Sequence, residues 1–203
     1  MIFDEKKVIF MHYPKTGGNS IQDALREHAS DKIAATANHQ DGFERFEVRN
    51  EKYKNLVKHS SLQDYYDAIG RDILNYKVYV TIRNPFDRLV SFYFSPHRGD
   101  VRYERNDFAQ FIGKIASLEE FIYLKKESVF SRKKMFENVR FLKFENLNED
   151  FFRLTSELNL KGINLPHRNK SKRKDYKLYY DDELIEMVRM IFKFEMSFGD
   201  YSF

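Results

Sequence analysis

The chain alternates between short apolar runs and longer stretches in which apolar residues recur every three or four positions. Apolar runs at 7–12, 76–82 and 139–144 have strand length and predict buried strands. The recurrent pattern predicts helices over residues 19–29, 62–70, 85–95, 107–113, 117–126, 147–158 and 181–196. Because strands and helices alternate, we predict an α/β single domain with a mainly parallel sheet flanked by helices on both faces.

Two segments carry weaker patterns. Residues 30–50 are polar without a sustained period and predict an irregular region, and residues 54–59 predict a short strand or turn. In α/β sheets, ligands bind beyond the carboxyl ends of the parallel strands. The segments that follow the strands at 7–12 and 76–82 are therefore the first candidates for a functional site. The pattern leaves the order of strands in the sheet open.

The segment HYPKTGGNSIQ directly follows the first apolar run. Gly17 and Gly18 allow a sharp turn with backbone N–H groups pointing inward, and the residues after them open a helix whose positive dipole end points the same way. This order of elements is typical of a phosphate site; a structural turn with an exposed lysine is the alternative. Lys15 precedes both glycines, whereas a Walker A loop places its lysine after the last glycine, so ordinary nucleotide triphosphatase chemistry is disfavoured.

A second segment, YVTIRNPFDRLVSFYF, combines a strand end with a helix start. Asn84 and Pro85 are favoured at the N-cap and at the first position of a helix, which leaves Arg83 at the carboxyl edge of the strand. Ser91 lies about two helical turns further along. A guanidinium suits bidentate binding of a phosphate monoester, and a hydroxyl adds a neutral hydrogen bond, so Arg83 and Ser91 can hold one phosphate. The alternative is an arginine that caps the helix beside a buried serine.

The two segments together resemble the sulfotransferases that use 3′-phosphoadenosine-5′-phosphosulfate (PAPS), in the carbohydrate and Golgi-type branch. In that family a PKTGG loop surrounds the 5′-phosphosulfate, and a later R-N-P-x-x-R-x-x-S segment binds the 3′-phosphate. The resemblance implies that the 5′ side is bound by Lys15, Thr16, Gly17, Gly18, Asn19 and Ser20. It implies that the 3′-phosphate is bound by Arg83 and Ser91.

The resemblance extends through the C-terminal stretch that ends at Phe203, so it covers nearly the whole chain. It implies a P-loop-like fold, PAPS as the donor cosubstrate, and transfer of a sulfuryl group to a hydroxyl of an acceptor, first a saccharide and then a small alcohol or phenol. The basic run HRNKSKRK matches a loop that closes over the donor in the family, through Asn169, Lys170 and Ser171. A solvated basic loop is the alternative.

Transfer to a hydroxyl requires a base for the hydroxyl proton and a cation for the leaving phosphate. His59 stands where the resembling uronyl-type branch has a catalytic histidine, and an unperturbed imidazole suits general-base work at neutral pH. A structural histidine is the alternative; so is a glutamate base, Glu44 or Glu47, because other branches use one. Lys15 is the predicted cation, a compact charge that can follow the bridging oxygen. No residue spacing indicates a metal site, and none is expected.

Arginines follow the second motif directly. Arg98, Arg102 and Arg105 lie just past the helix of Ser91 and predict, with the basic run, an acceptor that is polyhydroxylated and anionic. His12 is interpreted as a residue for packing or donor orientation rather than catalysis.

Composition changes this interpretation little. The chain has 203 residues, 33% charged and 42% hydrophobic, which is typical of one globular domain over residues 1–203. No apolar stretch approaches the roughly 20 residues of a membrane-spanning helix, and the N-terminus lacks signal-peptide features. A cytoplasmic, bacterial-type enzyme or an excised catalytic domain is expected. The absence of cysteine excludes disulfides and thiolate metal sites.

Two other functions remain open. A P-loop-like nucleotide kinase shares the phosphate turn but should carry GK[ST] and an aspartate that holds Mg²⁺ on a following strand. A nucleic-acid-binding protein is suggested by a pI of about 9.0 and by 20 Phe and 13 Tyr. The net charge is only +4, and the aromatic residues fall largely on periodic faces of core type. Ordinary packing therefore accounts for them.

Overall fold

The structure of the protein is a computed structural model that describes residues 1–38, 44–166 and 173–203. Its strands in chain order are β1 (Ile2–Phe3), β2 (Val8–Met11), β3 (Ile33–Asn38), β4 (Glu44–Val48), β5 (Lys77–Ile82) and β6 (Val139–Lys143). A four-stranded sheet has the order β1-β2-β5-β6, and β3 pairs with β4 in a separate two-stranded sheet. In the larger sheet β2, β5 and β6 are parallel, and β1 is antiparallel at the edge.

Helices connect and cover these strands. They are α1 (Gly18–Leu25), α2 (Leu62–Ile69), α3 (Pro85–Tyr93), α4 (Arg105–Lys114), α5 (Leu118–Phe121), α6 (Val129–Glu137), α7 (Leu147–Glu157), α8 (Asp182–Ile191) and α9 (Lys193–Gly199). Local sequence sets several starts. Ser61 and Asp64 form a capping box at α2, and Asn84 caps α3 with Pro85 at its first position.

Alternate residues of the parallel strands face opposite sides of the larger sheet. In β2, Ile9 and Met11 join one apolar cluster with α2, α5 and α6, whereas Val8 and Phe10 join a second cluster with α1 and α7. Both faces of the sheet are therefore covered by helices, because parallel strands bury side chains on each side. The predicted P-loop-like α/β class is confirmed.

A third apolar cluster packs α3 against α4 and α8. Phe86, Leu89, Val90 and Tyr93 of α3 are fully buried in it. Since α3 begins three residues after β5 ends, this packing fixes the helix that carries Ser91 relative to the sheet edge.

Most predicted elements are present, with shifted ends. The strands at 7–12, 76–82 and 139–144 are β2, β5 and β6. The helix predicted at 117–126 is wrong in length, because α5 ends at Phe121; the one predicted at 181–196 breaks at Phe192 into α8 and α9. None of the helices in the described ranges has the length and apolar composition needed to cross a membrane.

The irregular region predicted for 30–50 is wrong. It contains β3 and β4, paired antiparallel with Ile33 opposite Val48. Alanine and polar residues dominate these strands, so their sequence lacks the β-branched alternation that predicts a strand. Their extended form comes instead from pairing with each other and from the packing of Ile33 into the second apolar cluster. The segment at 54–59 is a turn, one of the two predicted forms.

Candidate functional site

The carboxyl ends of β2, β5 and β6 meet at one edge of the sheet, as their parallel pairing requires. The loop 12–17 follows β2, Arg83 follows β5, and Phe144 follows β6. The Arg83 guanidinium lies 4.1 Å from the centroid of the Phe144 ring, and a Cβ on Gly17 would lie 2.9 Å from the same ring. Both sequence motifs therefore border one site.

Thr16 connects the loop to strand β5 through its side chain. It is fully buried, and its hydroxyl donates to the Tyr13 carbonyl at 2.6 Å and hydrogen-bonds the Thr81 hydroxyl of β5. The Thr16 side chain thus faces the core. What this residue can offer an anion is its backbone N–H.

Arg88, which was not predicted from the sequence as a site residue, supports the loop from α3. It is 1% exposed, and its guanidinium carbon lies 4.1 Å from the centroid of the Tyr13 ring. Its Nη1 donates to the Pro14 carbonyl at 3.5 Å. The helix of the second motif is therefore in direct contact with the loop of the first.

Gly17 and Gly18 are needed for different reasons. Gly17 has a φ of +88° at the N-cap of α1, whereas at Gly18 the limit is space, because a Cβ there would lie 2.2 Å from Cδ2 of His12. His12 is buried, with its Nδ1 2.8 Å from the side-chain oxygen of Gln22. Within the described chain, no side chain caps α1. The N–H groups of its first turn are oriented to bind an anion.

Lys15 stands on this loop with a φ of +67°, which is uncommon for a residue other than glycine. Its ammonium donates to the Ser95 hydroxyl at 3.2 Å, just beyond the end of α3. Burial, followed by the positive charges of Arg83, Lys58 and Arg173, lowers the pKa of Lys15 to about 8. We call these four side chains the cationic cluster: Lys15, Lys58, Arg83 and Arg173.

Arg83 is held by hydrogen bonds from two directions. Its Nε donates to Oδ2 of Asp87 at 2.8 Å, Nη2 donates to the same oxygen, and Nη1 donates to the Lys15 carbonyl at 3.1 Å. Arg173 donates to the other Asp87 oxygen. Arg83 therefore adjoins the loop, at the strand edge where the sequence places it.

His59 lies against the same loop. Its Nδ1 is 2.9 Å from the His12 carbonyl oxygen, and because a carbonyl only accepts, Nδ1 donates and Nε2 carries the lone pair that can take a proton. The two imidazole rings meet edge to face with centroids 4.7 Å apart. Burial, followed by the charges of His59 and Lys58, holds the pKa of His12 well below its ordinary value, so His12 is neutral. Burial lowers the pKa of Lys58 to about 8.

Other predicted site residues are placed as follows. Ser91 is 6% exposed on α3, and Glu47, an alternative base, is exposed on β4 and accepts from Arg49 at 3.1 Å. The side chain of Glu44 lies outside the described residues, as do Asn169, Lys170 and Ser171. Across the described ranges, no group of three or more His, Cys, Asp or Glu side chains is placed to hold a metal ion.

The arginines predicted to bind an acceptor contact carboxylates or solvent. Arg98 reaches Asp107 at 3.3 Å, and Arg105 pairs with Asp181 at 2.9 Å. Arg102 is exposed. Their role at an acceptor site stays a prediction.

Four residues at the site were not predicted from the sequence: Lys58, Asp87, Ser95 and Arg88. Arg173 was predicted only as part of a basic run. Asp87 and Arg88 lie inside the second motif, so that motif was the available signal for them. For Lys58 the signal was its position beside His59. Nothing in the sequence around Ser95 distinguishes it.

The chain belongs to the sulfotransferase family, whose sequence model matches residues 1–202. It is therefore an enzyme that transfers sulfuryl groups, and PAPS is the general donor of this family. A search of curated proteins finds no match. The site fits an anionic donor. The N–H groups at the start of α1 and the positive charges around Lys15 lie at the same loop. The backbone at Gly18 packs so closely that a Cβ has no room there.

Proposed function

We propose that the protein transfers the sulfuryl group of PAPS to a hydroxyl of an acceptor, with a saccharide as the acceptor class. The observation that carries this proposal is the cationic cluster. Burial and, to a smaller extent, the charges of the other three members lower the pKa of Lys15 to about 8. Asp87 offsets part of the positive charge of Arg83 and Arg173, and the positive charge that remains favours a ligand with several negative charges.

Donor binding divides between the two motifs. The backbone N–H groups of Gly17, Gly18 and Asn19, at the start of α1, suit the 5′-phosphosulfate. Arg83 suits the 3′-phosphate, because three of its five N–H bonds go to Asp87 and Lys15 and one remains on each terminal nitrogen.

His59 and Lys15 supply the chemistry. His59 takes the acceptor hydroxyl proton on Nε2, since the His12 carbonyl holds Nδ1 as the donor. A bond forms between the acceptor oxygen and sulfur, and the bond between sulfur and the bridging phosphate oxygen breaks. Lys15 stabilises the negative charge that passes to the leaving phosphate. His59 is preferred to Glu47 because it contacts the loop directly, whereas Glu47 pairs with Arg49.

The saccharide assignment rests on the resemblance of the two motifs to the carbohydrate branch. A small alcohol or phenol is the second acceptor class. Incubation with ³⁵S-labelled PAPS and a panel of saccharides, alcohols and phenols separates these classes by which product carries the label. Family membership disfavours the kinase and nucleic-acid alternatives.

Binding of the donor product tests the proposal directly. Wild type should bind 3′-phosphoadenosine 5′-phosphate (PAP) more tightly than ATP or single-stranded DNA in metal-free buffer. Arg83→Ala should weaken PAP binding by about 1.5–3 kcal/mol, the range for a hydrogen bond to a charged group, and Ser91→Ala should weaken it less. Isothermal titration calorimetry measures all three.

Arg189→Ala is the matched control for Arg83, because Arg189 is also an arginine paired with a carboxylate, Glu186, but lies exposed on α8. It should bind PAP as wild type does. Equal PAP affinity of wild type and Arg83→Ala contradicts the assignment of the 3′-phosphate site.

PAP affinity should fall as the pH rises through about 8. The anion favours protonated Lys15, so binding raises the pKa of Lys15 above its free value of about 8. Affinity is then full below pH 8 and declines above it, by up to about tenfold per pH unit for each proton taken up. Lys58, with a pKa of about 8, acts in the same direction. Titrations in buffers of different ionisation enthalpy count the protons, and a flat profile from pH 7 to 10 contradicts the assignment of Lys15.

A further inference from the structure

Asp87 joins two cations in the first turn of α3. One carboxylate oxygen accepts from Nε of Arg83 at 2.8 Å and from Nη2, and the other accepts from Arg173. The two arginine side chains are only 11% and 10% exposed, and Asp87 is 21% exposed. A carboxylate between two largely buried guanidinium groups offsets their mutual repulsion and fixes their planes.

Arg83 also contacts the loop 12–17. Its Nη1 donates to the Lys15 carbonyl at 3.1 Å, and Lys15 has a left-handed φ of +67°. A non-glycine residue holds this conformation only where its surroundings fix it. The bond from Arg83 is one such restraint, since it fixes the direction of the Lys15 carbonyl.

These contacts form a continuous connection. Asp87 orients the Arg83 guanidinium, and Arg83 restrains the backbone of Lys15, whose ammonium reaches Ser95. Arg83 is placed to contact a 3′-phosphate, whereas Lys15 is placed on the 5′ side. The Arg83 guanidinium therefore contacts both halves of the proposed donor site.

We propose that Asp87 is a positioning residue that holds Arg83 as a brace between the 3′-phosphate site and the Lys15 backbone. The inference rests on the proposed function for the identity of the ligand. Its consequence is that the 5′ half of the site depends on Asp87 even when the ligand has no 3′-phosphate.

Charge and positioning predict opposite signs for the same substitution. Asp87→Asn removes one negative charge near an anion site, so Coulomb attraction alone would tighten the binding of an anionic nucleotide. Loss of the brace weakens that binding instead. Glu145 supplies the matched control, because its charge also acts on Arg83 while its oxygens accept from the Asn84 N–H and the Tyr201 hydroxyl.

The experiment measures the affinity of wild type, Asp87→Asn and Glu145→Gln for PAP and for adenosine 5′-monophosphate (AMP), which lacks the 3′-phosphate. Asp87→Asn should weaken PAP binding about tenfold and AMP binding about threefold, as loss of a charge-assisted contact implies. Glu145→Gln should leave both affinities unchanged or tighter. In an Arg83→Ala background the brace is already lost, so Asp87→Asn should no longer weaken binding and should leave both affinities unchanged or tighter, as Glu145→Gln does.

Either of two changes in affinity would overturn the inference. If Asp87→Asn tightens PAP binding as Glu145→Gln does, Asp87 acts through its charge alone. If Asp87→Asn weakens PAP binding but leaves AMP binding unchanged, Asp87 orients Arg83 for the 3′-phosphate without restraining Lys15. If Asp87→Asn does not fold, Asp87→Glu keeps the charge, shifts the carboxylate by one methylene, and should show the same two losses.

Failure of the proposed function has a different signature. A wild type that binds PAP no better than AMP contradicts the donor assignment itself. A wild type that prefers PAP, together with an Asp87→Asn variant of unchanged affinities, contradicts only the brace.

Discussion

His59→Ala should lower the turnover of PAPS with a competent acceptor by about 100-fold or more while leaving PAP affinity within about twofold of wild type. In the proposed mechanism the Nε2 of His59 takes the acceptor proton and does not bind the donor, while its Nδ1 donates to the His12 carbonyl. Lys15→Ala should impair both quantities, because we propose that the same ammonium binds the anion and stabilises the leaving phosphate. Replacing His59 should therefore lower turnover without lowering PAP affinity, whereas replacing Lys15 should lower both.

The measurement pairs calorimetric PAP affinity with steady-state turnover of labelled PAPS. His28→Ala is the control, because His28 is exposed after α1 and should change neither quantity. Full activity in His59→Ala contradicts its assignment as the base. Glu47 and Glu44 are then the next residues to replace.

The proximity of the two motifs could be predicted from the sequence because the signals are local. A glycine turn after one apolar run, and an arginine followed by a helix cap after another, each mark the carboxyl end of a strand. The parallel pairing of β2 with β5 then brings Lys15 and Arg83 together. The order of strands in the sheet was not predicted. Any order that places β2 next to β5 brings the same two segments together.

The electrostatic effect of Lys58 and Arg173 on Lys15 could not be predicted. Lys58 and Arg173 come from 43 and 158 positions beyond Lys15 in the sequence, and only tertiary packing brings them to it. Their effect on the pKa of Lys15 depends on burial and on distance, neither of which a sequence pattern contains.

Three elements were missed for a related reason. The helix α6 exposes Val129 and Phe130, at 74% and 79%, and so lacks a clear apolar stripe. The strands β3 and β4 consist largely of alanine and polar residues, and they are extended because they pair with each other. In both places the stabilising contacts are tertiary, so local pattern gives little signal.

Gly18→Ala should destabilise the protein and weaken PAP binding together. The new Cβ would lie 2.2 Å from Cδ2 and 2.7 Å from Nε2 of His12, so the buried ring or the loop must move. Overpacking of this kind costs about 3 kcal/mol of unfolding free energy, which in a domain of this size lowers the melting temperature by about 6–12 °C. A displaced loop also loses the amide geometry that binds the anion, so PAP affinity should fall at least about tenfold.

Gly113→Ala is the matched control, because a Cβ there meets only Met187 Cε at 3.4 Å inside α4. It should be neutral or stabilising by about 0.5–1 kcal/mol, since alanine is favoured over glycine within a helix. In a His12→Ala background the obstructing ring is gone, so adding Gly18→Ala should cost less than about 1 kcal/mol. Thermal melting and PAP titration of the four-member cycle measure this coupling. If Gly18→Ala costs the same with and without the His12 ring, close approach to His12 is not what requires glycine there.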